Sequence, residues 1–230
     1  MCTISGVSRV WHSVMKGIRV KHRTKEEFVA DFLREGIISG RFARGSKLKQ
    51  AELAQMIGTS ITPVREAIKL LEAEGFVLGD SHRGAVVAPF DMDATEEIVD
   101  LRVTLESKLA LAALKRLTSQ TVEDLRDLQQ QIEKAAAEGN REAVRLINYR
   151  FHETIYMASE LPQTLQFVRI LWARYPFDLI NKLENRIERA SAEHREMLSA
   201  IIVRDEAAML SALRMHIRSG WDEFKVGYAS

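Results

Sequence analysis

GTSITPVREAIKLLEAEGFVLGDSHRGAVV, residues 58–87, carries two different periodicities in one stretch. Ser60 or Thr62 can cap a helix, and Pro63 falls in its first turn, where a missing N–H is no loss. Val64, Ala67, Ile68 and Leu71 line one helical face until Gly75 closes it. From Phe76 the pattern becomes FVL and AVV around Gly-Asp-Ser-His-Arg-Gly, which reads as a β-hairpin. Upstream, Phe28, Val29, Phe32, Leu33 and Ile37 mark a helix from Lys25 that breaks in SGRFARGSK. A second helix runs from about Gln50 to Ile57 and stops at Gly58. Helices followed by a hairpin in this order predict a winged helix-turn-helix over residues 25–90.

Pro89, in Ala88-Pro89-Phe90, marks the boundary, since it cannot continue a central strand. Beyond it the sequence reads as helix: Asp93 to Leu117, Thr121 to Glu138, Arg141 to Ser159, Leu165 to Trp172, Ile180 to Val203 and Asp205 to about Val226. The expected fold is therefore mainly α, the winged domain followed by a C-terminal antiparallel all-helical bundle over residues 91–230. Residues 1–24 show no periodicity and read as a flexible basic arm.

Of 230 residues, 46% are hydrophobic and 28% charged, enough for packed cores and too apolar for disorder. The one cysteine, Cys2, excludes a disulfide framework and a multi-cysteine zinc site. No apolar run suits a membrane span or a signal peptide, which predicts a cytoplasmic protein without a membrane partner. The net charge of +1 hides an asymmetry. Residues 1–90 hold 14 Lys and Arg against 9 Asp and Glu, about +5, and residues 91–230 hold 19 against 23, about −4. A basic head on an acidic body suggests that the head alone meets a polyanion.

In a helix-turn-helix the second helix of the pair enters the major groove with its N-terminal residues at base edges. Here that surface carries Ser60, Ile61, Thr62 and Arg65. A guanidinium such as Arg65 can donate two hydrogen bonds to guanine, while Ser60 and Thr62 can bond phosphate or base. Lys47 and Lys49 can hold backbone phosphate, and Arg83 beside Gly84 at the wing tip can enter the minor groove. The competing reading of Arg65 is a surface ion pair with Glu66 or Glu72. GSKLKQAELAQMIGTSITPVREAIKLLEAEGFV (45–77) followed by HRGAVV resembles the DNA-binding domain of GntR-family transcriptional regulators. The resemblance implies double-stranded operator DNA as a partner. Ile61 departs from the Arg common in that family, which implies a different operator contact, for example with a thymine methyl.

His152, His194 and His216 fall in the helical body, with Asn148 one turn before His152 on the same face. Three imidazoles and one oxygen from three helices would suit Zn²⁺ or Ni²⁺. LRVTLESKLALAAL, NYRFHETIY, AEHREMLSAI with RDEAAML, and MHI resemble the all-helical FCD effector-binding domain of the FadR-type branch. That resemblance implies a homodimeric regulator, a repressor by preference, whose divalent metal sits on Asn148, His152, His194 and His216 and binds a small carboxylate effector. Asn148 stands where the branch commonly has Asp, and a neutral carbonyl is the weaker ligand. Arg102 matches a position that can meet the effector's carboxylate, with a salt bridge to Glu106 as its structural alternative. Arg174 and Tyr175, near Pro176, are further candidates for the cavity wall. Two rivals stay open: a metal-dependent hydrolase on the three histidines, although HETIY has Tyr156 where a second zinc-ligating His would stand, and an architectural DNA-binding protein without an effector.

Overall fold

The computed structural model describes residues 24–80, 84–180, 183 and 185–228. Helix α1 (Lys25–Ile38) starts at Thr24, which exchanges capping bonds with Glu27. Helix α2 (Gln50–Ile57) ends at Gly58, whose φ of 75° is the left-handed conformation a non-glycine residue resists. Ser60 occupies the N-cap of α3 (Ile61–Ala73) but makes no side-chain capping bond. Strands β1 (Val77–Asp80) and β2 (Gly84–Val87) pair antiparallel, Val77 with Val87 and Asp80 with Gly84. Residues 45–48 add to β2 through a Lys47–Val86 bridge and the Leu48 amide on the Ala85 carbonyl (2.9 Å), which roots the wing in the head. Leu33, Val64, Leu71, Val77 and Val87 have no exposed surface and hold the wing and α1 to α3 together. Each contributes roughly 1.5–3 kcal/mol by burial. His82 and Arg83, read as the wing tip, lie outside the described residues, as do residues 1–23 of the arm.

The body opens with α4 (Met92–Leu114), capped by Asp91, then α5 (Ser119–Ala137), α6 (Arg141–Met157) and α7 (Pro162–Arg174). The chain closes with α8 (Phe177–Ile180), α9 (Arg186–Val203) and α10 (Glu206–Tyr228). Helices α5 and α6, α9 and α10, and α4 with both α7 and α10 are the main packing pairs. The single helix expected over Ile180–Val203 is interrupted: α8 ends at Ile180, and Asn185 adopts φ 54°, ψ 11° before α9 begins. Asn tolerates the left-handed region because its short side chain bonds locally.

Helix α6 also packs on α1. Arg145 donates to the Ser39 carbonyl just past α1 (2.6 Å), Arg150 grips Glu35 (3.0 Å), and Arg41 of the head pairs with Glu142 (3.0 Å). Arg44 reaches across to Asp178 (3.0 Å) and the Tyr175 carbonyl (2.7 Å). No described helix is long and apolar enough to cross a membrane.

Candidate functional site

On the head, Lys47, Lys49, Ser60, Thr62, Arg65 and Gly84 are all exposed. Arg65 lies 3.8 Å from Glu66, an exposed pair that restrains it weakly. Lys49 bonds Glu52 at 2.7 Å. Arg65 and Lys69 of α3 face Gly84 and Ala85 of the wing across an open groove. Ser60, Thr62 and Arg65 thus lie at the start of α3, while Lys47 and Lys49 lie just before α2, on the segment that pairs with β2.

In the body, α6 supplies His152, α9 His194 and α10 His216, and all three are buried. Their ligand atoms lie within 4.8 Å of one another. His152 Nε2 is 3.1 Å from His216 Nε2, while His194 Nε2 is buried without any hydrogen-bond partner. Phe151 stacks on the His194 ring at 4.5 Å and fixes its plane. Burial, then the neighbouring His216 and Arg102, holds the His152 pKa well below its ordinary value, and burial does the same for His194. Neutral imidazoles gathered this closely are a donor set that suits a divalent cation, and the unpartnered His194 Nε2 is a lone donor buried among them. The residues therefore fit such an ion.

Acceptors surround the outer ring nitrogens. His216 Nδ1 is 2.8 Å from Glu193 Oε2, and His194 Nδ1 is 3.2 Å from Gln129 Oε1. Burial would raise Glu193, but hydrogen bonds from His216 and Arg186 outweigh it and hold its pKa at about 2. Arg186 clamps both Glu193 oxygens, at 3.1 and 3.0 Å.

Asn148 is half-buried and lines a small cavity with Arg102, His152, Trp172, Phe177 and, from the head, Ile38. The cavity measures about 10 Å³, room for roughly one water-sized molecule. Arg102 is engaged already: its Nε donates to Glu106 at 2.7 Å, and its guanidinium lies over the rings of Tyr175 (4.2 Å) and Phe177 (5.1 Å). Glu106 also accepts from Tyr156 (2.7 Å) and from Trp172 Nε1 (3.0 Å). Tyr175 thus covers Arg102 instead of facing the cavity. Arg174 is exposed at the end of α7 and points toward Gly75 of the head, away from the expected site. Sequence reading missed Gln129 entirely, and of Glu106 it saw the pairing with Arg102 but not the bonds from Tyr156 and Trp172. Glu193 is adjacent to His194 in sequence yet serves His216, a pairing only the packing of α9 on α10 creates.

The FCD domain model matches residues 97–219, and that for bacterial regulatory proteins of the gntR family matches residues 25–87. The chain belongs to the GntR family and carries an FCD domain. It is 27% identical to the HTH-type transcriptional regulator McbR of Escherichia coli over 198 residues, covering 82% of this chain and 87% of that one. It is 26% identical to the gluconate operon transcriptional repressor of Bacillus subtilis, covering 82% and 80% of the two chains. The E. coli McbR structure superposes with a TM-score of 0.78 at 24% identity, over 90% of this chain and 99% of that one. A GntR-family protein from Rhodococcus sp. RHA1 gives 0.66 at 17%, over 88% and 98%. This GntR regulator is therefore a transcriptional regulator and not a hydrolase; its head implies operator DNA as partner and its FCD domain a small-molecule effector.

Proposed function

We propose that this GntR-family protein is a homodimeric, ligand-responsive repressor whose FCD domain holds a divalent ion, Zn²⁺ or Ni²⁺, on His152, His194 and His216, with the Asn148 carbonyl as oxygen ligand. A homodimer suits a pseudo-palindromic operator, each head reading one half-site. The bound ion would supply Lewis acidity and open coordination positions for a small carboxylate. The observation that carries this reading is the buried, unpartnered Nε2 of His194 among converging imidazoles.

The same site reaches the head directly. Ile38, at the end of α1, forms one wall of the small cavity. A carboxylate effector is larger than that cavity, so its entry moves Trp172, Phe177 or Ile38, and motion of Ile38 is motion of α1. Arg145 and Arg150 of α6, on the helix that carries Asn148 and His152, hold the same end of α1. Effector leverage on the head is bounded by its differential affinity for the two arrangements, on the order of 1–3 kcal/mol.

The test is native mass spectrometry with metal analysis of the full chain, followed by thermal unfolding with and without added Zn²⁺. About one ion per chain in a dimer is expected. Zn²⁺ at a hundredfold excess over its Kd should add about 2.7 kcal/mol of stability, reversed by a chelator and absent in His194→Ala. A His194→Ala protein that binds the ion as tightly as the wild type refutes the assignment.

A further inference from the structure

The hydrogen bonds on the far sides of the imidazoles determine more than ring orientation. The Gln129 side-chain amide is anchored at one end. Its Nε2 lies 2.7 Å from Ser191 Oγ, 3.3 Å from the Ser191 carbonyl and 2.9 Å from Glu133 Oε1. A carbonyl and a carboxylate only accept, so the amino end must face them, and the amide oxygen must face His194 Nδ1 at 3.2 Å. That oxygen cannot donate, so the His194 proton is fixed on Nδ1. The Glu193 carboxylate, bound by Arg186 and by Ser219 Oγ (2.7 Å), is likewise an acceptor and fixes the His216 proton on Nδ1, 2.8 Å away.

Both Nε2 atoms are then lone pairs. His216 Nε2 stands 3.1 Å from His152 Nε2, and two lone pairs at that distance would repel. His152 must therefore carry its proton on Nε2 and donate it to His216. Its Nδ1 faces the Tyr156 hydroxyl at 3.5 Å, whose own proton is given to Glu106. The Tyr156 oxygen is thus ready to accept a proton from His152 Nδ1.

We propose that Gln129 and Glu193 are positioning residues that lock His194 and His216 in the Nδ1–H tautomer, and that His152 is the one ring whose proton relocates when a cation occupies the cluster. The proton leaves Nε2 and Nδ1 gains one, bonded to the Tyr156 oxygen, so the ring stays neutral throughout. The lock is a property of the ion-free chain. Only the relocation rests on the metal-dependent reading above. Residues that orient ligating imidazoles in this way typically change metal affinity 10–100-fold when removed.

The experiment is long-range ¹H–¹⁵N correlation NMR of the ¹⁵N-histidine-labelled full chain, stripped of metal and then titrated with Zn²⁺ alone. His→Gln variants assign the rings. In the stripped chain, His194 and His216 are expected as Nδ1–H and His152 as Nε2–H. Zn²⁺ should convert His152 to Nδ1–H and leave the other two unchanged. An Nε2–H signal from His194 or His216 in the stripped wild-type chain overturns the lock, and folding of a variant does not enter that result. Stripped-chain tautomers as stated, with no response to Zn²⁺, uphold the lock and refute the metal reading. Gln129→Leu, which cannot accept, should release His194 from Nδ1–H and weaken Zn²⁺ binding 10–100-fold at an unchanged His216 tautomer. Unaltered His194 signals in that variant also overturn the proposal.

Discussion

Arg102 and Glu106 form a buried ion pair one helical turn apart, with side chains 4% and 0% exposed and a separation of 2.7 Å. Replacing Arg102 by Met keeps apolar volume over the Tyr175 and Phe177 rings but leaves the Glu106 carboxylate with two neutral donors, Tyr156 and Trp172. Removing one partner of such a pair costs about 3–5 kcal/mol, because the other charge stays buried and uncompensated. At roughly 2–4 °C per kcal/mol for a chain of this size, Arg102→Met should lower the Tm by roughly 6–20 °C. Adding Glu106→Gln removes the stranded charge: its amide oxygen accepts from Trp172, and its amide nitrogen donates to the Tyr156 oxygen, which can accept as well as donate. The double variant should therefore be more stable than Arg102→Met alone. Urea unfolding of the four proteins in the cycle measures this. A single variant within about 1 kcal/mol of wild type, or strict additivity in the cycle, would show that Arg102 is held for ligand and not for Glu106.

Arg65→Ala should weaken specific operator binding by roughly 5- to 150-fold, the equivalent of about 1–3 kcal/mol for a bidentate base contact. Equal gel-shift affinity for the two proteins at one salt concentration would remove Arg65 from the reading surface. Gly36→Ala should destabilise the head by about 1–3 kcal/mol, since a Cβ there would clash with the Phe42 ring. Hydrogen exchange of α1 amides reports it, and unchanged protection would mean the ring moves freely.

What the sequence revealed was whatever repeats locally. The α3 stripe of Val64, Ala67, Ile68 and Leu71, the wing and the helix-ending glycines are all short-range patterns, and α2 begins and ends where its polar flanks and Gly58 put it. The three histidines were legible as a set, since each lies on a helix face that must turn inward. Their supports were not. Gln129 reaches His194 across 65 positions and Tyr156 reaches Glu106 across 50, distances no periodicity encodes. Arg102 was ambiguous for a physical reason: an arginine four residues before a glutamate makes the same local pattern whether the pair is structural or waits for a ligand. The buried Glu106 shows the pair is made, while Arg102 also lines the cavity beside His152, so the two roles share one side chain. Arg174 misled because its place in sequence, just before Pro176, says nothing of which side of α7 it occupies.

The charge asymmetry needs reinterpreting on the same grounds. The charge of about +5 over residues 1–90 reads as a surface for DNA, yet residues 25–90 balance at 9 Lys and Arg against 9 Asp and Glu, and several arginines of the head face inward or face the body. Arg34 is buried against Glu74, Arg41 pairs with Glu142 and Arg44 with Asp178. The excess of positive charge thus belongs to the 5 Lys and Arg of residues 1–24, and the cations of the head left for phosphate are fewer than the count suggests. The salt dependence of binding separates the two roles, because its slope falls by about 1 for each cation that no longer neutralises a phosphate. Lys47→Gln should reduce the slope of log K against log salt by about 1, since Lys47 is exposed on the wing-side strand. Arg41→Gln should leave the slope unchanged while loosening the head from α6, visible as faster hydrogen exchange at the end of α1. A slope that falls with Arg41→Gln as much as with Lys47→Gln would mean that Arg41 leaves Glu142 to meet DNA, and that the head docks on its operator only after parting from the body.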